Sequence, residues 1–196
     1  MGDFLLYLLA LAVVQNMVLS TGLGSSVMLR MTRQPRDITL YCGLMCGFSV
    51  VSMLVFYPLK KYLLPDVFWV RLISPAVVVL LVIGIYLVTV LILQWRVPAV
   101  LARIQRILSL AVFNNLLIGL LLIAEFTMTT TLWGALGAAV GTSLGFLILS
   151  RLVEEALRRA DNPDMPTAFK GFPIALLYLG LLALALSGFR PPVSLL

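Results

Sequence analysis

Residues 13–29 read VVQNMVLSTGLGSSVML and belong to an apolar segment that begins at Phe4. The segment is long enough to cross a bilayer, because a membrane-spanning helix needs about 20 mostly apolar residues. Its middle nevertheless holds two amides, two glycines and four hydroxyl side chains. Glycines weaken a helix, and polar groups within lipid require partners inside the protein. The stretch therefore predicts a helix that is interrupted within the membrane and faces other protein segments there.

The composition is that of an integral membrane protein. Of 196 residues, 62% are hydrophobic and 11% are charged, which is more apolar surface than a soluble domain of this length can bury. The chain has 14 Lys and Arg against 8 Asp and Glu, a net charge of +6. These cations lie in short connectors between apolar runs, so they indicate membrane topology and not a nucleic-acid partner. We expect a single polytopic domain over residues 1–196.

Six apolar segments of nearly bilayer length follow one another along the chain. They run over Phe4–Leu29, Ile38–Tyr57, Leu72–Leu93, Ile107–Phe126, Leu132–Leu149 and Pro173–Phe189. The expected fold class is therefore an all-α integral membrane protein with six transmembrane helices. The connectors after segments one, three and five hold ten Lys and Arg, and the opposite side holds four. Because cytoplasmic connectors are rich in these residues, both termini are predicted to be non-cytoplasmic.

The fourth segment repeats the pattern of the first, in the stretch VFNNLLIG at residues 112–119. The matches are Val14 with Val112, Asn16 with Asn114 and Leu19 with Leu117. Each half of the chain has three segments and opens with its most polar one, and an odd number orients the halves oppositely across the bilayer. This pattern predicts two inverted three-helix repeats, about 1–95 and 107–196, with interrupted helices one and four.

Interrupted helices in matching positions of two inverted halves predict a polar site at the membrane midplane. Exposed backbone ends at such a site can face an ion or a cofactor, provided that protein or trapped water surrounds them.

The break in the first segment is attributed to Gly22 and Gly24, which permit backbone conformations outside the helix. The side chains of Asn16, Ser25 and Ser26 are expected to bond the backbone groups that the break frees. An alternative interpretation gives the asparagines of both segments no site, because polar residues in helix bundles commonly form hydrogen bonds between helices.

Two other segments have helical patterns of their own. Residues Arg96–Arg106 have apolar side chains at helical spacing opposite three arginines, which predicts a short amphipathic helix at the cytoplasmic interface. In the fifth apolar segment Gly137, Gly141 and Gly145 are four residues apart, a spacing that lets two helices approach closely in lipid. The residues leave open whether this surface meets the same chain or another.

Few side chains offer metal or acid–base chemistry. Glu125 is the one carboxylate in or near an apolar segment, and its place at the predicted outer end favours solvation over a role in an ion path. Cys42 and Cys46 are the only cysteines and are spaced to share one helix face. Two thiols without further ligands do not complete a metal site, so we interpret them as packing residues and expect no metal.

Three passages resemble one known family. DFLLYLLALAVVQNMVLSTGLGSSVML (3–29) is similar to that family's first span, which carries NN-x-V-L and an L-G-x-C half-helix. VFNNLLIGLLL (112–122) is similar to the fourth-span T-x-N-C-x-x-x-G, and PTAFKGFPIALLYLGLLALALSGF (166–189) to the P-x-x-F-K/R-G-x-x-I-x-L entry into span six. The family is the RnfA/NqrE type of membrane subunit, found in Rnf complexes and in Na⁺-translocating NADH:quinone reductases. The resemblance implies six spans in two inverted halves.

The resemblance also implies a cofactor question. In the family, a cysteine from each half-helix and the equivalent pair of a sister subunit hold an iron–sulfur cluster of the 2Fe–2S type. The matching positions here are Ser26 and Asn115. A hydroxyl and an amide lack the charge and softness of a thiolate, and Cys42 and Cys46 lie in another segment. We therefore expect a retained scaffold in which this chain does not ligate the cluster.

The implied function is that of a membrane subunit of an Rnf/Nqr-like ion-translocating electron transport complex in the bacterial inner membrane, where it supplies scaffold and a candidate ion path. The resemblance implies that this path runs between the half-helices, with a polar lining of Asn16, Ser20, Thr21, Ser25, Ser26 and Asn114. Its implied partners are the other subunits, including a sister membrane subunit of inverted topology for which the fifth segment is a plausible contact surface. The alternative is a divergent small transporter or channel outside any redox complex. The chain has no His, no intramembrane acid pair and no nucleotide-binding glycine loop, so we assign no catalytic residues.

Overall fold

The computed structural model describes residues 2–31, 35–63, 68–126, 131–160, 166 and 170–188, and this part of the chain is helical without strands. The helices are α1 (Gly2–Leu9), α2 (Met17–Thr21), α3 (Ser25–Met31), α4 (Pro35–Leu63), α5 (Phe68–Arg96), α6 (Pro98–Val112), α7 (Asn115–Phe126), α8 (Leu132–Ala160) and α9 (Phe172–Ser187). A π-helical turn, Ala10–Val14, continues α1. The predicted all-α class is confirmed for these residues.

Several of the described helices have the length and apolar character of membrane spans. Asp37–Tyr62 in α4, Leu72–Arg96 in α5 and Leu132–Arg159 in α8 each suffice alone to cross a bilayer. The pair formed by α6 and the first part of α7, bent by 44°, is a fourth span if it is counted as one. The segments before residue 15 and after residue 171 are apolar but shorter. The chain is thus a membrane protein that is all-α over the residues described, and the number six stays a prediction.

Helix α8 is the centre of the bundle. In its most apolar stretch 61% of the residues are buried, against 11% in the corresponding stretch of α5. Gly137 and Gly141 lie against the backbone of Phe4 and Leu8 in α1, and an added Cβ at Gly141 would lie 2.6 Å from the Leu8 carbonyl oxygen. Small residues permit this approach of two backbones. The glycine surface therefore meets α1 of the same chain, which answers the question that the residues alone leave open.

Helix α4 also packs against α8. The rings of Tyr41 and Phe146 have centroids 5.4 Å apart, and the hydroxyl oxygens of Ser49 and Ser143 are separated by 3.4 Å. Each serine also donates to a carbonyl one turn earlier in its own helix, so both buried hydroxyls have hydrogen-bond acceptors. These contacts hold α4 beside the part of α8 where the candidate site lies.

The segment Arg96–Arg106 is not a separate helix. α5 ends at Arg96, the chain turns at Val97, and Pro98 opens α6 at a position where a missing N–H removes no helical hydrogen bond. α6 then continues to Val112 and forms the first part of the bent pair. The interfacial placement itself stays a prediction: of the apolar stripe, Leu101 is buried at 8% exposure, whereas Val97 and Val100 are each 45% exposed. The prediction for Glu125 is untested, since its side chain lies outside the described residues.

Candidate functional site

The first helix breaks at Asn16. The π-helical turn ends where the Gln15 N–H donates to the Ala10 carbonyl at 2.6 Å, and α2 then begins with Asn16 as its N-cap. Asn16 Oδ1 accepts from the Val18 N–H at 3.0 Å, while its Nδ2 donates to the Ala12 carbonyl at 3.2 Å. Asparagine is favoured at N-caps because its side chain satisfies a backbone N–H that the helix leaves unpaired. The prediction that Asn16 bonds freed backbone groups is confirmed.

A second break follows at the two glycines. Gly22 and Gly24 have φ angles of +73° and +80°, in the left-handed region that favours glycine. α2 ends with the Gly22 N–H donating to the Val18 carbonyl at 3.0 Å. The Leu23 N–H finds an acceptor in Thr21 Oγ1 at 3.4 Å. The hydroxyl that serves this break thus belongs to Thr21 and not, as the sequence predicts, to the serines at positions 25 and 26.

The fourth helix breaks at Asn114 in the same manner. α6 closes with the Phe113 N–H donating to the Ser109 carbonyl at 3.0 Å, and Asn114 Oδ1 then accepts from the Leu116 N–H at 3.1 Å. In both halves an asparagine therefore accepts from the N–H two residues later. The Nδ2 groups differ, because that of Asn114 donates to the Tyr41 hydroxyl at 2.6 Å. The predicted interruptions of helices one and four are both present.

The two halves meet at one level of α8. An added Cβ at Gly24 would lie 3.1 Å from Leu116 Cβ, 3.4 Å from Asn114 Oδ1 and 3.5 Å from the ring of Phe146. An added Cβ at the preceding residue of α8, Gly145, would lie 2.5 Å from Asn16 Nδ2. Gly145 thus lies against Asn16 of the first break, and Phe146 lies against Gly24 of the second. The glycine break in turn touches the start of α7.

The predicted site residues divide between a buried centre and an accessible edge. Asn16 and Asn114 are buried, with 4% and 0% of their surface exposed. The remaining predicted residues lie further out: Ser20 and Ser25 are half-buried, and Thr21, Ser26 and Asn115 are exposed. The structure therefore brings the two asparagines to the same part of α8 and leaves the two cluster-matching positions accessible at the starts of α3 and α7.

The sequence interpretation missed Tyr41 and Met45. The Tyr41 hydroxyl accepts from Asn114 and donates to the Leu110 carbonyl at 3.5 Å, and Met45 Sδ lies 3.6 Å from Asn114 Nδ2. The side chains of Tyr41, Met45 and Asn114 are all buried. A tyrosine inside an apolar span is itself a signal, because a buried phenol usually requires a hydrogen-bond partner. That signal identifies the residue but not its partner.

The residues at the cluster-matching positions do not fit an iron–sulfur cluster. Ser26 offers a hydroxyl and Asn115 an amide, whereas such clusters are held by thiolates or, less often, by imidazoles. Cys42 and Cys46 are free thiols one turn apart on α4, and Cys42 is buried. Among the described residues no group of three or more His, Cys, Asp or Glu is placed to hold a metal ion. We therefore assign no chemistry to an iron–sulfur cluster held by this chain.

The groups placed at the breaks are neutral. Amides, a phenol and aliphatic hydroxyls act as hydrogen-bond donors and acceptors, and none of them titrates near neutral pH in its ordinary state. Such groups hold helix ends inside lipid and are suited to lining a path for a cation or water. They are not suited to proton transfer of the general acid–base kind, which requires a group with a pKa near the working pH.

Comparison with known proteins gives relatives over nearly the whole chain. The chain is 26% identical over 179 residues to the A subunit of the Na⁺-translocating ferredoxin:NAD⁺ oxidoreductase complex of Acetobacterium woodii, covering 90% of this chain and 91% of the relative. It is 29% identical over 201 residues to the A subunit of the ion-translocating oxidoreductase complex of Rhodobacter capsulatus, covering 96% and 97%. The protein of the same name from Syntrophotalea carbinolica is 27% identical over 192 residues, with the same coverage.

No family model matches the chain. The relatives nevertheless cover 90% to 96% of the chain, and each is named as the A subunit of an oxidoreductase complex that translocates ions. The similarity includes the first and fourth helices, in which the structure has its asparagine-capped breaks. Over nearly its whole length the chain is thus similar to A subunits of ion-translocating oxidoreductase complexes.

Proposed function

We propose that this protein is a membrane subunit of an Rnf/Nqr-like ion-translocating electron transport complex, which it provides with scaffold and a candidate ion path. The observation that carries the proposal is the meeting of the two helix breaks on α8, in a chain whose full-length relatives are named as A subunits of such complexes. The chain acts within the assembly and does not itself ligate an iron–sulfur cluster.

The proposed architecture has six spans in two inverted halves, with both termini outside the cytoplasm of a bacterial inner membrane. It is supported by the equivalent caps at Asn16 and Asn114, each of which accepts from the N–H two residues later. The excess of Lys and Arg in the connectors after segments one, three and five supports the orientation. The short helix α1 completes a span together with the π-helical turn and α2, and the break between them is tolerated where the backbone is buried in protein.

The proposed partner surface lies beside the starts of α3 and α7. Ser26 and Asn115 are exposed there, although the neighbouring Asn114 and Met28 are buried. A sister membrane subunit of inverted topology would cover this surface. The glycine surface of α8 is not available for that purpose, because α1 occupies it.

The proposed ion path runs between the breaks, with Asn16, Ser20, Thr21, Ser25 and Asn114 as polar lining. Its support is that these neutral oxygen-bearing side chains lie at or next to the residues where two helices lose their regular hydrogen bonds. Oxygen ligands of this kind suit hard cations such as Na⁺.

Co-purification tests the proposal. The tagged chain, extracted from its own membranes in a mild detergent, is expected to be isolated together with flavoprotein and iron–sulfur subunits. An isolated homo-oligomer that moves a solute across liposome membranes would instead favour the small transporter or channel. Isolation of a homo-oligomer with no redox partner and no transport would contradict both.

A threonine pair provides a matched test of the ion path in the assembled complex. Thr21 Oγ1 donates to the carbonyl four residues earlier at 2.6 Å, and Thr89 Oγ1 on α5 does the same at 2.8 Å. Thr21→Val is expected to lower redox-driven ion uptake into vesicles, while Thr89→Val leaves it unchanged. Equal uptake in the two variants would remove Thr21 from the path.

A further inference from the structure

The break between α6 and α7 frees a backbone carbonyl inside the membrane. In an unbroken α-helix the Asn114 N–H would donate to the Leu110 carbonyl, four residues earlier. The regular bonds of α6 end instead with Phe113 and Ser109, so the Leu110 carbonyl needs another donor. An unsatisfied backbone group in lipid is costly, since no water is present to replace the lost partner. The Tyr41 hydroxyl supplies the donor at 3.5 Å.

The same hydroxyl also contacts the other side of the break. It accepts from Asn114 Nδ2 at 2.6 Å, and a phenol can donate one hydrogen bond while it accepts another. Tyr41 therefore bridges the last turn of α6, through Leu110, and the N-cap of α7, through Asn114. Tyr41 and Asn114 both have 0% exposure, so the bridge is sealed from solvent.

The first half of the chain performs this task without a bridging residue. Asn16 donates directly to the Ala12 carbonyl, which is also four residues earlier, and accepts from Val18. In the second half the amide oxygen of Asn114 plays the same part as that of Asn16, but its Nδ2 reaches Tyr41 instead of the carbonyl. Tyr41 is thus an additional link, contributed by α4 and separated from Asn114 by 73 positions in the sequence.

The position of Tyr41 is itself fixed. Its ring lies against that of Phe146, with centroids 5.4 Å apart and planes inclined by 41°. Phe146 is also one of the side chains that line the space beside Gly24. Tyr41, which belongs to α4, is therefore packed against α8 at the level where the two breaks meet. Its hydrogen bond with Asn114 links this place to the start of α7.

We propose that Tyr41 is a positioning residue, whose hydroxyl holds the fourth helix in its broken form and thereby sets the place of Asn115. Asn115 is the first residue of α7 and is exposed beside the buried Asn114. Without the hydroxyl, the Leu110 carbonyl is satisfied most directly by the Asn114 N–H, which closes the break and extends α6 into α7. The bearing of this position on ion flow rests on the proposed function, but the geometry of the break does not.

Thiol labelling of the isolated full-length chain tests the inference independently of any complex. Asn115→Cys is introduced together with Cys42→Ala and Cys46→Ala, and the rate of reaction with a small uncharged maleimide is measured in a mild detergent. Adding Tyr41→Phe is expected to slow labelling about fivefold, the effect of one net hydrogen bond on the equilibrium between the broken and continuous helix. Val100→Cys in α6, which is 45% exposed, should be labelled at the same rate with either residue at position 41.

Tyr86 offers a matched control for the loss of a phenol. Its ring packs against Phe113 at the same break, with centroids 5.1 Å apart. Tyr86→Phe is expected to leave labelling at position 115 unchanged. Asn114→Ala should slow it as Tyr41→Phe does, and the double variant should be no slower than either single one. An unchanged rate with Tyr41→Phe, an equal effect of Tyr86→Phe, or additive effects of the two single changes would overturn the assignment.

Discussion

Gly145 and Asn16 are matched in size across the contact between α8 and the first broken helix. A Cβ on Gly145 would lie 2.5 Å from Asn16 Nδ2 and 2.9 Å from the Ala12 carbonyl oxygen, so the backbone of the first half approaches α8 as closely as a glycine allows. The amide that caps α2 thus occupies the space left by a missing side chain. Close packing of α8 and the interruption of the first helix are two aspects of one contact.

Gly145→Ala is therefore expected to destabilise the protein by about 2 kcal/mol, the usual cost of forcing an extra methyl group into a packed interior. Gly43→Ala on α4 is the matched control, because a Cβ there meets nothing within 4 Å. It should leave stability unchanged or raise it slightly, since alanine favours a helix more than glycine does. Thermal unfolding in detergent, followed by circular dichroism, measures both, and an equal effect of the two substitutions would contradict the contact.

The neighbouring residues Asn114 and Asn115 are predicted to differ sharply in their effect on stability. Asn114→Leu removes the acceptor of the Leu116 N–H and the donor to Tyr41, with an expected loss of about 2 kcal/mol. Asn115→Leu, on the exposed side, should change the free energy of unfolding by less than about 0.5 kcal/mol. Chemical denaturation of the two variants in the same detergent decides the matter. A larger loss of stability with Asn115→Leu than with Asn114→Leu would mean that Asn115, and not Asn114, is the buried side chain.

The parts of this site that local sequence specifies were predictable. Gly22 and Gly24 mark a break because few other residues accept a positive φ, and Asn16 and Asn114 mark N-caps because their side chains bond the backbone two residues later. Tyr41 could not be assigned in this way. Its partner lies 73 residues away, and only the packing of α4 on α8 brings the two together.

What the sequence left open has one physical origin. The glycine spacing of α8 predicted a close helix contact, but spacing does not say which helix makes it, and α1 of the same chain does. The stripe in residues 96–106 predicted a short helix, but periodicity does not say where a helix ends, and α6 continues to Val112. In both cases the local pattern was specified by sequence, and its neighbour or its extent by the rest of the fold.

Lys60 contacts the end of α7. Its Nζ donates to the Ala124 carbonyl at 3.3 Å, in the last turn of α7, where the helix dipole favours positive charge. Lys60→Met should lower stability by about 1 kcal/mol. Lys61→Met is the control, because that side chain is exposed and lies 5.9 Å over the ring of Tyr62. If the two substitutions have the same effect on the unfolding temperature, the contact with α7 contributes nothing.

The cluster-matching positions are predicted not to carry iron in the assembled complex. Ser26→Ala and Asn115→Ala each remove the polar group of a side chain, and neither group is a thiolate. The iron and sulfide content of the complex and the EPR spectrum of its reduced form should therefore be the same as without the substitution. Cys42→Ser and Cys46→Ser extend the test to the two thiols of the chain, which lie on α4. Normal co-purification of the remaining subunits shows for each variant that the complex has assembled. Loss of an iron signal in an assembled Ser26 or Asn115 variant would mean that an alcohol or amide ligates a cluster here. Loss in a cysteine variant would mean that α4 has taken over a role that the family gives to the half-helices.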